Sequence, residues 1–249
     1  MKVIILAAGQ GTRLGSYTKT KPKCLVELNG KSILDYQLEL YKKEKLNDVI
    51  VITGYKQDKI SNNGIKKIYN PNYKTTNMVT SLFCAEQYFD DDLIISYGDI
   101  IFSNLILTKL ISSNEIFSVV VDLKWEKLWK IRMVDPLNDI ESMKIKNGKI
   151  IELGKKVDDL KHIQGQYIGL IKIKKEFLNK MINFYYSLDQ SELYDGYDFY
   201  NMYMTTFIQL IINHYNIVEP IYINGGWLEI DTISDLKKYE RLEYVKQII

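Results

Sequence analysis

The sequence predicts an α/β fold built on a mostly parallel sheet covered by helices, and three observations lead there. Short, continuous, β-branched apolar runs occur at 2–7, 48–54, 93–97 and 117–122, each ending at or just before glycine or aspartate. Such runs are strands buried on both faces rather than half-exposed edges. Between them lie segments with apolar residues at helical spacing, as with Ile33, Tyr36, Leu40 and Tyr41, and strand–helix alternation is the signature of a parallel sheet. Finally, the 249 residues, 46% of them hydrophobic, contain no Pro/Gly/Ser-rich linker, internal repeat or low-complexity stretch. One domain spanning 1–249 is therefore expected.

In order, a strand over 2–7 is followed by a polar loop from Gly9 to Pro22, a short apolar stretch at 24–28 and a turn at Asn29-Gly30. Ser32 is placed to cap a helix running to about Lys45. Strands are expected at 48–54, 66–69, 93–97 and 117–122, and helices at 78–89 and 105–111. The second half differs. Asn147-Gly148 between two β-like runs, over 142–153, is a strong hairpin signal. A strand at 163–173, helices at 175–187 and 199–214, strands at 217–223 and 227–230, and a helix from Ser234 to about Lys246 complete the expectation. The hairpin reads as an elaboration of the same domain, walling one side of the site.

Lys plus Arg number 33 against 31 Asp plus Glu, a balance unlike the concentrated basic face of a nucleic-acid binder. The apolar run at 3–8 stops at Gly9, too short for a secretory core, and no stretch approaches the roughly 18 apolar residues of a membrane span. Cys24 and Cys84 have neither metal-site nor disulfide-framework spacing. A soluble, cytoplasmic protein without membrane or nucleic-acid partners is expected, with self-assembly left open.

The most informative segment is Leu6-Ala7-Ala8-Gly9-Gln10-Gly11-Thr12-Arg13, directly after the first strand. Small residues let the backbone approach a ligand, and consecutive N–H groups can cradle an anion. Arg13 adds a planar, permanent cation matched to phosphate oxygens, and Pro22 presents Lys23 in few conformations. The glycine pair alone is equally consistent with a plain turn. A dinucleotide fingerprint fails because position 14 is Leu14, and no P-loop pattern occurs.

The run LAAGQGTRL followed by PKCLVEL resembles the signature of the nucleotide-sugar pyrophosphorylase and cytidylyltransferase superfamily. Asn70-Pro71-Asn72-Tyr73 to Asn77, Ser81-Leu82, Tyr97-Gly98-Asp99 and GWLEIDT at 226–232 extend the resemblance to its bacterial CTP:phosphocholine cytidylyltransferase branch. The resemblance implies a Rossmann-like mixed sheet with the nucleotide over the carboxyl ends of the strands. It implies transfer of CMP from CTP to a small phosphorylated metabolite, with Arg13 and Lys23 as catalytic cations. Mg2+ would be held by Asp99 and Asp231, since two carboxylates plus phosphates suit its octahedron. Nucleotide contacts fall to Leu6, Ala7, Ala8, Gly9, Gly11, Asn77, Ser81 and Gly98, although Asn77 and Ser81 also suit a helix start. Trp125, Trp129, Tyr167, Tyr197 and Asp198 lie where the branch places its acceptor-binding residues.

Phosphoglutamine, as in capsule phosphoramidate synthesis, is the expected acceptor. Phosphocholine, 2-aminoethylphosphonate and a sugar 1-phosphate are the alternatives, and a regulatory nucleotide-binding module is the non-enzyme reading. Lys124, Lys127, Lys130 and Arg132 crowd the Trp125–Trp129 segment. They suit either an acceptor carboxylate or a solvated strand edge. His162 and His214 have no metal or nucleophile partner at useful spacing.

Overall fold

The computed structural model describes residues 1–61, 64–242, 245 and 248. Strand β1 (Lys2–Ala7) leads through two 3-10 turns into a hairpin of β2 (Glu27–Leu28) and β3 (Lys31–Ser32), then α1 (Ile33–Lys43). Next come β4 (Val49–Thr53), β5 (Ile65–Tyr69), α2 (Met78–Phe83), β6 (Leu93–Tyr97), β7 (Ile100–Phe102), α3 (Asn104–Ser112) and β8 (Phe117–Asp122). The second half holds α4 (Trp125–Arg132), the hairpin β9 (Glu141–Lys146) and β10 (Lys149–Lys156), β11 (Gln166–Ile173) and α5 (Lys175–Ser187). The ribbon β12 (Leu193–Tyr194) and β13 (Tyr197–Asp198), α6 (Met204–Tyr215), β14 (Val218–Ile223), β15 (Trp227–Glu229) and α7 (Ile233–Tyr239) follow.

The main sheet has seven strands in the order β14-β8-β11-β6-β1-β4-β5. β11 runs antiparallel to both β6 and β8, while β1 pairs in parallel with β4 and β6, β4 with β5, and β14 with β8. The expected mixed, mostly parallel sheet is what the chain forms. Because side chains alternate across a strand, β1 feeds two cores. Val3, Ile5 and Ala7 pack toward α1, α3 and α7, and Ile4, Leu6 and Ala8 toward α2, α5 and α6. The chain leaves β1 for β4 and β5 on one side, then crosses to β6 on the other. The resulting switch point opens a crevice at the carboxyl ends of β1 and β6, where open α/β sheets bind ligands.

Several boundaries differ from the sequence reading, each for a local reason. The helix expected over 78–89 ends at Phe83, and Phe89 folds back edge-on to the Phe83 ring at 5.8 Å. The helix expected from 199 begins at Met204. Asp198 instead accepts hydrogen bonds from the Tyr200 and Asn201 amides and closes a tight turn, leaving Phe199 buried against Tyr185. Segment 125–132 is a helix rather than a strand edge, with Trp125, Leu128, Trp129 and Arg132 buried at helical spacing. α7 is capped by Thr232, not Ser234, in a reciprocal capping box with Asp235, and Lys246 lies outside the described residues. The Asn147-Gly148 hairpin forms as expected, both residues having positive φ.

The turn between β6 and β7 is held from below by Gln37 of α1. Its side-chain amide donates to the carbonyls of Tyr97 at 2.8 Å and Ile100 at 2.7 Å, and its own carbonyl accepts from Ser96 Oγ at 3.3 Å. Burying this group is tolerable because it is fully partnered. Gln37→Ala, which strands two carbonyls, is expected to lower unfolding free energy by about 1–3 kcal/mol. A urea midpoint indistinguishable from that of the parent would contradict this role.

Candidate functional site

The crevice is lined by Leu6, Ala7, Ala8 and Gly9, by Gly98 and Asp99, by Lys23 and Cys24, and by Tyr73, Thr76, Asn77, Met78 and Ser81. Close approach of the two strand ends depends on Gly98. Its amide donates to the Leu6 carbonyl at 3.0 Å, and a Cβ there would stand 2.7 Å from that oxygen. Gly11, with φ of 65°, lies over Lys23, where a Cβ would be 2.8 Å from the lysine Cβ. It shapes the loop against Lys23 and is not among the crevice-lining residues. Asn77 is the N-cap of α2, and Ser81 Oγ accepts from Asn70 Nδ2 at 3.0 Å, so both have structural duties beside the crevice they border.

At one end of the crevice, carboxylate oxygens of Asp99, Glu229 and Asp231 lie within 4.8 Å of one another. Two strand ends bring them together: β15 pairs antiparallel with β7, and the Ile230 amide donates to the Asp99 carbonyl at 3.0 Å. Asp122 steers the approach to β15, accepting from the Gly225 amide at 2.8 Å and the Trp227 indole at 2.9 Å. The Asp231 and Thr232 amides donate to Asp235 at 3.1 and 2.9 Å, which fixes the main chain behind the carboxylate.

Cations interleave with the acids. Lys23 Nζ lies 2.6 Å from Asp99 and also binds Asp231, while Arg13 Nη2 reaches Asp231 at 3.1 Å from an otherwise exposed side chain. Burial alone would lower the Lys23 pKa, but the facing Asp99 and Asp231 outweigh it and raise the pKa. Burial likewise acts to raise Asp231, and Lys23, Arg13 and Arg132 reverse it, so this carboxyl falls below its ordinary value. Glu229 moves the other way, pushed upward by its burial and then by Asp231 against the pull of Arg132. Hard oxygen donors, a buried Asp99 Oδ1 with no hydrogen-bond partner, and an ammonium already seated between Asp99 and Asp231 together fit a divalent-cation centre.

Beyond the acids a second cavity opens, bordered by Arg13, Tyr97, Trp129, Asp139, Glu141, Gln166, Tyr167, Tyr203, Glu229 and Asp231 among others. Trp129 and Tyr167 border it, the latter edge-on to Tyr97 at 5.7 Å. Tyr197 borders only an adjoining outer cavity. Asp198 borders neither, its carboxylate being taken by the turn at Phe199–Asn201 and the Asn201 side chain.

The expectation that Lys130 or Arg132 would offer a cation to an acceptor is corrected. Lys130 pairs on the surface with Glu126 at 2.8 Å. The Arg132 side chain is 1% exposed and already engages Glu229, Asp231 at 3.1 Å and Asp235 at 3.7 Å. Glu229 was not singled out from the sequence, although it stands two positions before Asp231, a spacing that puts both on one face of an extended segment. Arg132, by contrast, gave no sequence signal of its partners.

A family profile for the MobA-like NTP transferase domain matches residues 3–126. Over 248 residues, 95% of this chain and 98% of the other, the sequence is 44% identical to the CTP:phosphoglutamine cytidylyltransferase of Campylobacter jejuni. The chain belongs to the nucleotidyltransferase family. The choline-phosphate cytidylyltransferase of Streptococcus pneumoniae is 35% identical over 117 residues, 45% of this chain and 51% of that one. A solved structure of the CTP:phosphocholine cytidylyltransferase from the same organism shares the fold. Its TM-score is 0.72 at 23% identity, covering 96% of this chain and 97% of that one. Nucleotidyltransferases of this kind generally use a divalent metal, in keeping with the donor set above. No helix among the described residues is long and apolar enough to cross a membrane.

Arg132 is the shared counterion of four acids, Asp139, Glu229, Asp231 and Asp235. Breaking a buried ion pair from one side typically costs about 3–5 kcal/mol, and Arg132→Met is expected to destabilise by that order in denaturant unfolding. Arg132→Lys is expected to recover only part, since a point charge cannot reproduce the guanidinium fork. A fully restored midpoint in the lysine variant would show that charge alone suffices.

Proposed function

We propose that this nucleotidyltransferase is a cytidylyltransferase that moves CMP from CTP to phosphoglutamine, releasing pyrophosphate. The observation carrying this reading is the pair of cavities that meet at Asp99, Glu229, Asp231, Arg13 and Lys23, in a chain 44% identical to a CTP:phosphoglutamine cytidylyltransferase along nearly its full length. All of 1–249 is taken as one catalytic domain. The absence of a membrane-spanning helix among the described residues and two free cysteines agree with a cytoplasmic setting.

CTP would enter the crevice with its base near Ala8, Asn77, Ser81 and Gly98, where backbone amides and a hydroxyl can meet an uncharged hydrogen-bonding edge. Its triphosphate would lie toward Arg13 and Lys23. Asp99 and Asp231, with Glu229 beside them, would hold Mg2+, which when bound offsets phosphate charge. An acceptor phosphate oxygen from the second cavity attacks the α-phosphorus in line. The new O–P bond forms as the bond to the β-phosphate bridging oxygen breaks, and pyrophosphate leaves with that electron pair. A phosphate is already nucleophilic, so no catalytic base is needed. Arg13 and Lys23 orient the reacting groups and neutralise charge as it shifts to the leaving group.

Pyrophosphate release across four nucleoside triphosphates and a panel of acceptors tests this directly, with CTP plus phosphoglutamine expected to be fastest. A stronger signal with UTP, or with a sugar 1-phosphate, would overturn the assignment. Asp99→Ala and Asp231→Ala are each expected to remove most divalent-dependent turnover while the protein stays folded. Lys23→Ala is expected to cost about 10²–10³ in rate, as loss of one such donor usually does, with nucleotide preference intact. A switch in base selectivity would place Lys23 elsewhere.

A further inference from the structure

The second cavity and the larger outer cavity adjoin: Asp139, Glu141, Tyr203 and Thr205 border both, Arg13 and Asp231 border only the inner one, and Lys155, Lys156 and Asp195 only the outer one. An acceptor whose phosphate lies near Arg13 would reach past Glu141 toward the β9–β10 hairpin. We infer that Glu141 and Lys156 read the amino-acid end of the acceptor, Glu141 binding its α-ammonium and Lys156 its α-carboxylate; this rests on the cytidylyltransferase reading and specifies the acceptor chemistry.

Glu141 is built in rather than merely exposed. Its amide donates to the Gln166 side-chain oxygen at 3.4 Å, and Gln166 Nε2 donates to its carbonyl at 2.6 Å. The Thr205 hydroxyl stands 3.5 Å from the carboxylate. No cation neutralises it at ion-pair distance among the described residues. Burial pushes this carboxyl up to about 7, and Asp139 and Asp195 add to that rise. A half-buried carboxylate whose near neighbours are acids gains most from a cationic ligand. Tyr97 and Tyr203 border the same cavity, and aromatic rings there suit an ammonium as well.

The outer end has the opposite chemistry. Lys155 is turned back to Glu152 at 3.4 Å, which leaves Lys156 as the hairpin cation better placed for a carboxylate. A bare quaternary ammonium would answer Glu141 but make no use of the outer cavity. An amino acid phosphorylated on its side chain carries phosphate at one end and both ammonium and carboxylate on one carbon at the other, and Glu141 and Lys156, paired across the β9–β10 ladder, can answer the two together.

Steady-state kinetics at saturating CTP with three acceptors test the inference: phosphoglutamine, its analogue lacking the α-amino group, and its analogue lacking the α-carboxylate. Glu141→Gln and Lys156→Ala are each expected to lower kcat/KM for phosphoglutamine by about ten- to a hundredfold, the range set by one charge-assisted hydrogen bond. The loss should fall mainly in KM, with the KM for CTP kept. Glu141→Gln should not lower use of the amino-free analogue further, nor Lys156→Ala that of the carboxylate-free one. Glu141→Asp, retaining the charge, should recover part of the loss, which a merely structural role would not produce. Equal losses on all three acceptors would overturn the inference while leaving the cytidylyltransferase reading standing. A parent enzyme inactive on phosphoglutamine yet active on another acceptor would overturn both.

Discussion

Everything in this molecule turns on holding three carboxylates together. Asp99, Glu229 and Asp231 come from two strand ends far apart in the chain, and their oxygens crowd within 4.8 Å. Left alone they would repel one another or take up protons. Lys23 and Arg13 compensate from the open side and Arg132 from behind. The front cations border cavities where phosphates can reach them, while Arg132 is sealed. One set of charges thus stands open to a ligand and the other is locked into the architecture, and the same acids belong to both.

The sheet exists, in this light, to deliver those groups to one rim. β1 and β6 end side by side because Gly98 admits the Leu6 carbonyl, and the short β7–β15 ladder swings the Glu229–Asp231 segment over the same spot. Gln37 and Asp122, polar but buried, do the aiming: each spends its hydrogen bonds on main-chain or indole groups that would otherwise drift. Apolar packing supplies cohesion on both faces, but it has no direction. Directional bonds from a few buried polar side chains convert cohesion into a defined geometry.

What the sequence revealed follows from which forces are local. The strands at 2–7 and 93–97, the helix at 175–187 and the Asn147-Gly148 hairpin were readable because propensity, period and turn chemistry agree within a short window. Among the site residues, the glycine loop, Lys23, Asp99 and Asp231 could be singled out because each carries a recognisable motif. Arg132 could not be read correctly. Its run of neighbouring lysines suggests a solvated face, and only its distant partners Glu229 and Asp235 explain its burial. Glu141 was equally silent, since a glutamate opening a strand has no signature until Gln166 and Thr205 close around it. The helix boundaries at 83 and 204 moved because Phe89 folds back on Phe83 and because Asp198 closes a turn ahead of α6.

The Lys23–Asp231 pair spans 208 positions, and that separation has a kinetic consequence. Contacts of such range demand closure of a very large loop and tend to form late. The β1–β4–β5 and β6 framework can assemble from the first hundred or so residues through parallel neighbours, yet it then presents Arg13 without Asp231 and leaves Asp99 alone to face Lys23. An early folding intermediate would accordingly carry an open, cationic crevice able to attract polyphosphate before it could do any chemistry. Arrival of the 227–231 segment would close the charge balance, so competence for turnover should appear abruptly, at the final step of folding rather than in proportion to structure gained.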